Sequence, residues 1–164
     1  MRYLALILRA HKSRRGQTLI EFALFFPFIA YFLFTIVDFG IALDRKVVFT
    51  NAAREAARHA SLGIDTSATS IAQIAVNQSK GSFTTSDVKV YWVDKNGDGQ
   101  IRAGEPVVVQ IKYNYNLAIL HGMADVLGVT LPAVDLGACT DMALVQDVSG
   151  VPISASGSVP CGGT

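Results

Sequence analysis

The chain has 164 residues, 51% of them hydrophobic and 16% charged, and a formal net charge of +1. A balance so near zero excludes an electrostatic nucleic-acid binder, and the length allows one folded domain beyond a membrane segment. No nucleophile motif, phosphate loop or paired-carboxylate site stands out, and His11, His59 and His121 are scattered as ordinary surface or capping residues, so the chain does not read as an enzyme.

Residues 3–8 form an apolar patch too short to span a bilayer, and the basic residues Arg9, Lys12, Arg14 and Arg15 follow it. Next comes Gly16-Gln-Thr-Leu-Ile-Glu21, opening into an apolar run over residues 22–43 that only Asp38 interrupts. As a helix, that run rises about 33 Å, enough to cross a bilayer core. Glu21 then stands at the start of a membrane-spanning helix, where a carboxylate needs a partner, a task or headgroup water. A secretory signal peptide would need a small-residue cleavage site after the run, and Asp38-Phe-Gly-Ile-Ala42 is a poor one. Ser13-Arg14-Arg15 is not continued as a twin-arginine signal. Arg45, Lys46, Arg54 and Arg58 flank the far side, so a bare positive-inside count is close to a tie. Pro27 removes one backbone donor inside the run and reads equally as a loosening kink and as a tolerated membrane proline.

Past the apolar run, Phe49, Ala53, Ala56, Ala57 and Ala60 recur at helical spacing, with Asn51, Arg54, Glu55 and Arg58 on the opposite face. This predicts one unbroken helix over residues 18–61, ending near Gly63. Residues 65–69 read as a polar turn, and Ile71, Ile74, Ala75 and Gln78 as a short second helix stopping near Gly81. Val88, Val90 and Trp92 alternate with polar neighbours, as do Val107, Val109, Ile111, Tyr113 and Tyr115, which predicts an antiparallel hairpin. Residues 117–127 read as a short helix or an apolar loop, residues 134–145 as a third strand, and residues 149–164 as an irregular tail.

The hairpin loop, residues 94–105, fits the pattern D-x-[DN]-x-[DN]-G-x5-E at every specified position. Asp94, Asn96 and Asp98 would supply side-chain oxygens, Gln100 its carbonyl, and Glu105 a closing carboxylate, an all-oxygen shell suited to calcium. Gly104, Pro106 and a strand stand where an EF-hand places its exit helix, and a polar hairpin turn without metal is the competing reading. If calcium binds, its expected job is structural: ordering a long loop and holding two strands in register.

The two cysteines, Cys139 and Cys161, have no CxxC spacing and no nearby His, which argues against zinc. They read as one disulfide in an oxidising compartment or as two free thiols. Paired, they would close a loop worth roughly 3 kcal/mol.

Basic residues, then Gly16, four residues, Glu21 and an apolar helix together resemble the processing site of type IV prepilins. The continuation Glu21-Phe-Ala-Leu-Phe-Phe-Pro27, with Asp38-Phe-Gly40 and Asn51-Ala-Ala-Arg54-Glu-Ala-Ala-Arg58, is similar to the TadE-like pseudopilins of tight-adherence (Flp, type IVb) pilus systems. The resemblance is dense from residue 16 to about residue 61 and thin beyond. It implies cleavage between Gly16 and Gln17 by a prepilin peptidase on the cytoplasmic side, and pairing of Glu21 with the new N-terminal amine of a neighbouring subunit. It also implies an α+β, pilin-like fold: a long N-terminal helix, transmembrane in its first half, packed on a small antiparallel sheet.

The expected organisation is a leader (1–16), a transmembrane helix (17–43), an exoplasmic α+β domain (44–148) and the tail (149–164). The N-terminus is expected in the cytoplasm of a single-pass inner-membrane protein, with other pilins and the assembly platform as partners. The function so implied is a minor pilin that assembles or primes the pilus. The alternative is a permanently anchored, calcium-dependent binding or adhesion module outside any filament.

Overall fold

One helix, α1 (Arg14–Ser61, 48 residues), carries two chemistries along its length. In the computed structural model, which describes residues 14–126, 128–157 and 161, its first half stands free and its second half is the spine of the folded domain. Pro27 lies inside α1 without ending it. The helix stops where Gly63 takes φ +66°, a left-handed conformation glycine adopts without steric cost, and the Gly63 N–H returns to the Ala60 carbonyl at 3.0 Å. Most of the expected leader lies outside the described residues.

The alanine stripe packs as its spacing predicts. Ala52, Ala53, Ala56, Ala57 and Ala60 are fully buried, and the absence of larger side chains lets the sheet and the second helix approach the α1 axis. Phe49 is the large member of that face, packing edge-on against Phe83 and Tyr113 with ring centroids 5.2 Å and 5.6 Å away. Helix α2 (Ala68–Gln78) buries Ile71, Ala72 and Ala75.

The main sheet has four strands in the order β5-β2-β1-β6. Strands β1 (Val88–Asp94) and β2 (Pro106–Ile111) form the expected hairpin, with Val90 opposite Val109 and Trp92 opposite Val107. Strand β5 (Ala138–Ala143) pairs antiparallel with the other edge of β2. Val88, Trp92, Val107, Val109 and Ile111 join the α1 alanines in one core. Trp92 is fully buried, and among the described residues its indole Nε1–H finds no acceptor.

Three expectations are corrected. The second strand ends at Ile111, before Tyr113 and Tyr115; Asn114–Tyr115 is a separate short strand, β3, paired with β4 (Val134–Asp135) in a small sheet of its own. The third strand is accordingly split, because Leu136 donates its N–H to the Tyr113 carbonyl (2.8 Å) between β4 and β5. The tail is not wholly irregular: β6 (Ile153–Ser156) pairs parallel with β1, so the sheet is only mostly antiparallel. Residues 117–127, open between helix and loop, contain helix α3 (Ala118–Val126).

Candidate functional site

The first candidate surface is the free half of α1. From Leu19 to Val37 the large apolar side chains are exposed, and no acidic, basic or histidine side chain lies between Glu21 and Asp38. The helix is long and apolar enough to cross a membrane, and none of its most apolar window is buried within the molecule. So large a continuous apolar surface needs lipid or another protein to cover it. The Thr35 hydroxyl, the polar group most at odds with such surroundings, donates to the Tyr31 carbonyl at 2.8 Å within the helix.

Gly16 and Gln17 lie in the first turn of α1, where backbone N–H groups have no intrahelical acceptor, so opening the Gly16–Gln17 bond to a protease costs little helix. A Cβ built on Gly16 would meet nothing within 4 Å, so among the described residues no contact requires glycine there. Glu21 is exposed, and its Oε1 accepts a hydrogen bond from the Gln17 side-chain amide at 3.1 Å. No salt bridge to it is found among the described residues.

Asp38, noted in the sequence as an interruption of the apolar run and as part of Asp38-Phe-Gly40 but given no task there, is fully buried. Its Oδ2 accepts the backbone N–H of Ile119 (3.0 Å) and of Leu120 (2.7 Å), with Oδ1 also 3.3 Å from the Ile119 nitrogen. Those are the second and third residues of α3, the donors an N-cap side chain normally satisfies. The residue before α3 is Leu117, which has no side-chain acceptor to offer. An acid from another helix therefore caps α3, and its charge faces the positive end of the helix dipole. The signal in the sequence was a pair of anomalies: an uncapped short apolar helix and a lone acid in an apolar run. Asp38 and Ala42 are both buried, so packing of the domain begins five residues before the expected boundary at residue 43.

The second candidate site is the loop between β1 and β2. It brings Asp94, Asn96, Asp98, Gln100 and Glu105 into one turn, with Gly97, Gly99 and Gly104 at φ +73°, +77° and +90° shaping it. Asp94 and Glu105 are buried, Asp98 is at the surface, and Asn96 and Gln100 are exposed. Asp94 accepts the N–H of Gly97 (2.6 Å) and of Gly99 (2.8 Å), one on each oxygen. These bonds, that of Gly99 foremost, outweigh burial and hold its carboxyl below the usual range. Glu105 accepts from Lys95 (3.0 Å) and Asn96 (3.3 Å) on Oε1 and from Arg102 (2.8 Å) on Oε2. Asp98 pairs with the Arg102 guanidinium at 2.9 Å. The two buried acids thus already close the loop through backbone donors, and among the described residues no three acidic, His or Cys side chains converge as a metal site. The donor set suits a hard cation in kind and order, but only if Asp98 turns from Arg102 and each buried carboxylate uses its remaining lone pairs.

Cys139 on β5 and Cys161 are bonded, with Cα atoms 5.8 Å apart, tying the end of the chain to the sheet edge. His121 lies between two carbonyls, Leu117 (3.1 Å from Nδ1) and Leu131 (3.0 Å from Nε2), and donates to the one beside its protonated nitrogen; the Nε2 tautomer ties the segment after α3 back onto that helix.

No curated protein and no solved structure shows a significant match to the chain. The family model described as TadE-like protein matches residues 16–58, which take in the whole free apolar stretch and most of the alanine stripe. Over that segment, about a quarter of its length, the chain is similar to the TadE-like family.

Proposed function

We propose that this protein is a pseudopilin, a minor pilin-like subunit that assembles or primes a tight-adherence type IVb pilus. The observation that supports it is the free half of α1: the TadE-like segment begins at Gly16 and carries an apolar surface that nothing in the folded domain covers. A helix of this kind crosses the bilayer before assembly and packs among other pilin helices afterwards. Cleavage after Gly16 by a prepilin peptidase would leave an ammonium on Gln17 at the end of that helix. In low dielectric, an amine and the Glu21 carboxylate of a neighbouring subunit attract strongly, and either one left alone is costly. Such a pair sets the axial register between subunits; among the described residues of one chain the Glu21 carboxylate bonds only to the neutral Gln17 amide.

We place the N-terminus in the cytoplasm and the α+β domain outside the inner membrane. The Cys139–Cys161 bond supports this orientation, since disulfides persist in oxidising compartments. In this reading the β1–β2 loop binds calcium as a structural ion, supported by the order of its oxygen donors and by buried Asp94 and Glu105 at its two ends. The ion would neutralise the acids and hold the hairpin in register.

The deciding experiment is the intact mass of the membrane-extracted protein, with Gly16→Val beside wild type. Wild type is expected to begin at Gln17 and to be recovered in sheared surface filaments, while Gly16→Val keeps its leader and stays in the membrane. A Gly16→Val protein that still begins at Gln17 overturns the processing reading. Wild type with an intact leader, recovered only in membranes, favours the anchored binding module instead.

A further inference from the structure

We propose that α3 and the turn after it form a second membrane contact, lying in the interface of the bilayer that α1 crosses, on the side of the folded domain. The proposal rests on α1 spanning the membrane and adds an element outside the family-matched segment. Three observations carry it.

The first is length. The free stretch of α1, residues 19–37, rises about 28 Å as a helix, close to the roughly 30 Å of a bilayer's hydrocarbon core. Measured from Leu19, the core therefore ends at about Asp38, and the exposed side chains of Phe39, Ile41 and Leu43 carry the apolar surface of α1 on into the interface. The second is the level of α3. Because Asp38 accepts the N–H groups of Ile119 and Leu120, the start of α3 is held at that same height along α1, beside the end of the lipid-facing surface. Leu120 and Ala124 face inward and are buried.

The third is the chemistry of what α3 leaves outside. Between residues 117 and 134 the only ionisable side chains are His121 and Asp125, and each His121 nitrogen lies beside a backbone carbonyl, so either neutral tautomer has an acceptor for its one N–H. Val126 is 86% exposed and Val129 51%, an unusual display for two aliphatic side chains so close in sequence. The turn between them is closed internally. Gly128 at φ +70° donates to the Asp125 carbonyl (3.1 Å), and the Val129 N–H returns to Ala124 (2.9 Å). Two of the carbonyls at the helix end, those of Ala124 and Asp125, are thereby satisfied without water, which suits an element entering lipid. Helix α3 has 9 residues and is about 13 Å long, so this exposed turn lies within that distance of Asp38, and lipid is the occupant we assign to it as to α1. Asp125, on the exposed side, can keep its charge among headgroups.

The test uses the full chain with Phe28→Cys, Val126→Cys, Val129→Cys or Val145→Cys, each carrying a nitroxide label, the native disulfide left intact. The proteins are reconstituted in vesicles of phosphatidylcholine and phosphatidylglycerol, and label collisions with oxygen and with a water-soluble nickel chelate are measured. Val145, 69% exposed and bonded through its N–H to Ser61 at the far end of α1, reports water. It lies about 35 Å along the helix from Asp38. The expected result is that labels at 126 and 129 lose nickel collisions and gain oxygen collisions relative to 145, less deeply than the label at 28. Water-like values at 126 and 129 with lipid-like values at 28 overturn this inference alone. Water-like values at 28 overturn the spanning reading as well. Protection of 126 and 129 from both reagents also overturns it, marking a surface covered by protein.

Discussion

Asp38→Ala should free α3 from α1 while leaving the sheet intact. The substitution removes one carboxylate that accepts two backbone N–H groups, one of them on buried Leu120. Loss of an N-cap side chain costs about 0.5–2 kcal/mol, and a buried donor left without a partner costs about 1–3 kcal/mol. Water reaches Ile119 more readily than Leu120, so the two do not add in full, and about 2–4 kcal/mol is the expected total. If α3 opens as a local unit, its amide exchange should rise by about 30- to 700-fold. The assay is hydrogen–deuterium exchange of the full chain in detergent micelles, comparing a peptide over residues 117–131 with one over residues 107–111. Wild type, Asp38→Ala and Asp38→Asn should rank in the order of protection wild type, Asn, Ala in the first peptide, because Asn keeps one acceptor oxygen. The second peptide, in the core strand β2, should not change. Unaltered protection of residues 117–131 in Asp38→Ala would refute the capping argument, and equal loss in both peptides would show Asp38 to be a global core residue.

Glu21→Ala should be processed and stable, because among the described residues its carboxylate bonds only to Gln17, yet fail to copurify with pilin partners; normal copurification would reduce Glu21 to a solvated acid. At calcium roughly ten-fold above its dissociation constant, binding adds about 1.4 kcal/mol, or about 5 °C in the melting temperature of the domain. Asp98→Ala should abolish that rise without lowering the melting temperature in chelator by much, since Asp98 meets only the Gln100 N–H and Arg102 at the surface. Glu105→Ala should also destabilise the calcium-free protein, since it strands three backbone donors; no calcium heat in wild type would leave a metal-free polar turn. Asp94 has a lowered carboxyl pKa when folded, so its contribution is full above the unfolded value and is lost as pH falls through the folded one. The melting-temperature gap between wild type and Asp94→Asn should therefore be open at neutral pH and narrow below about pH 4, and a gap constant across that window would refute the assignment.

Much of this protein is local chemistry and can be read in one dimension. The free apolar run, the alanine stripe and the helix stop at Gly63 all follow from periodicity and conformational preference along a single helix, so α1 was legible almost to the residue. The β1–β2 hairpin was legible for the same reason, since alternation and a glycine-rich turn are properties of neighbouring residues. The motif at Gly16 and Glu21 lies on that helix too, and the structure leaves both free of contacts from the folded domain.

What the sequence could not decide are the contacts between residues far apart in the chain. Tyr113 and Tyr115 continue the alternation of β2, yet that strand stops at Ile111 because β3 pairs with β4 in another sheet. The tail lacks strand periodicity, but an open edge on β1 supplies the hydrogen bonds that make residues 153–156 a strand. The five loop residues share the spacing of a cation site, whereas whether their carboxylates face an ion or the backbone depends on where each N–H points. Asp38 shows the division most plainly. Along the chain it is one acid in an apolar run, and Ala118–Val126 is an apolar helix without a cap. Only the packing of α3 on α1, 81 residues apart at that hydrogen bond, joins the two: a buried charge needs donors and a helix end needs an acceptor, so each resolves the cost of the other.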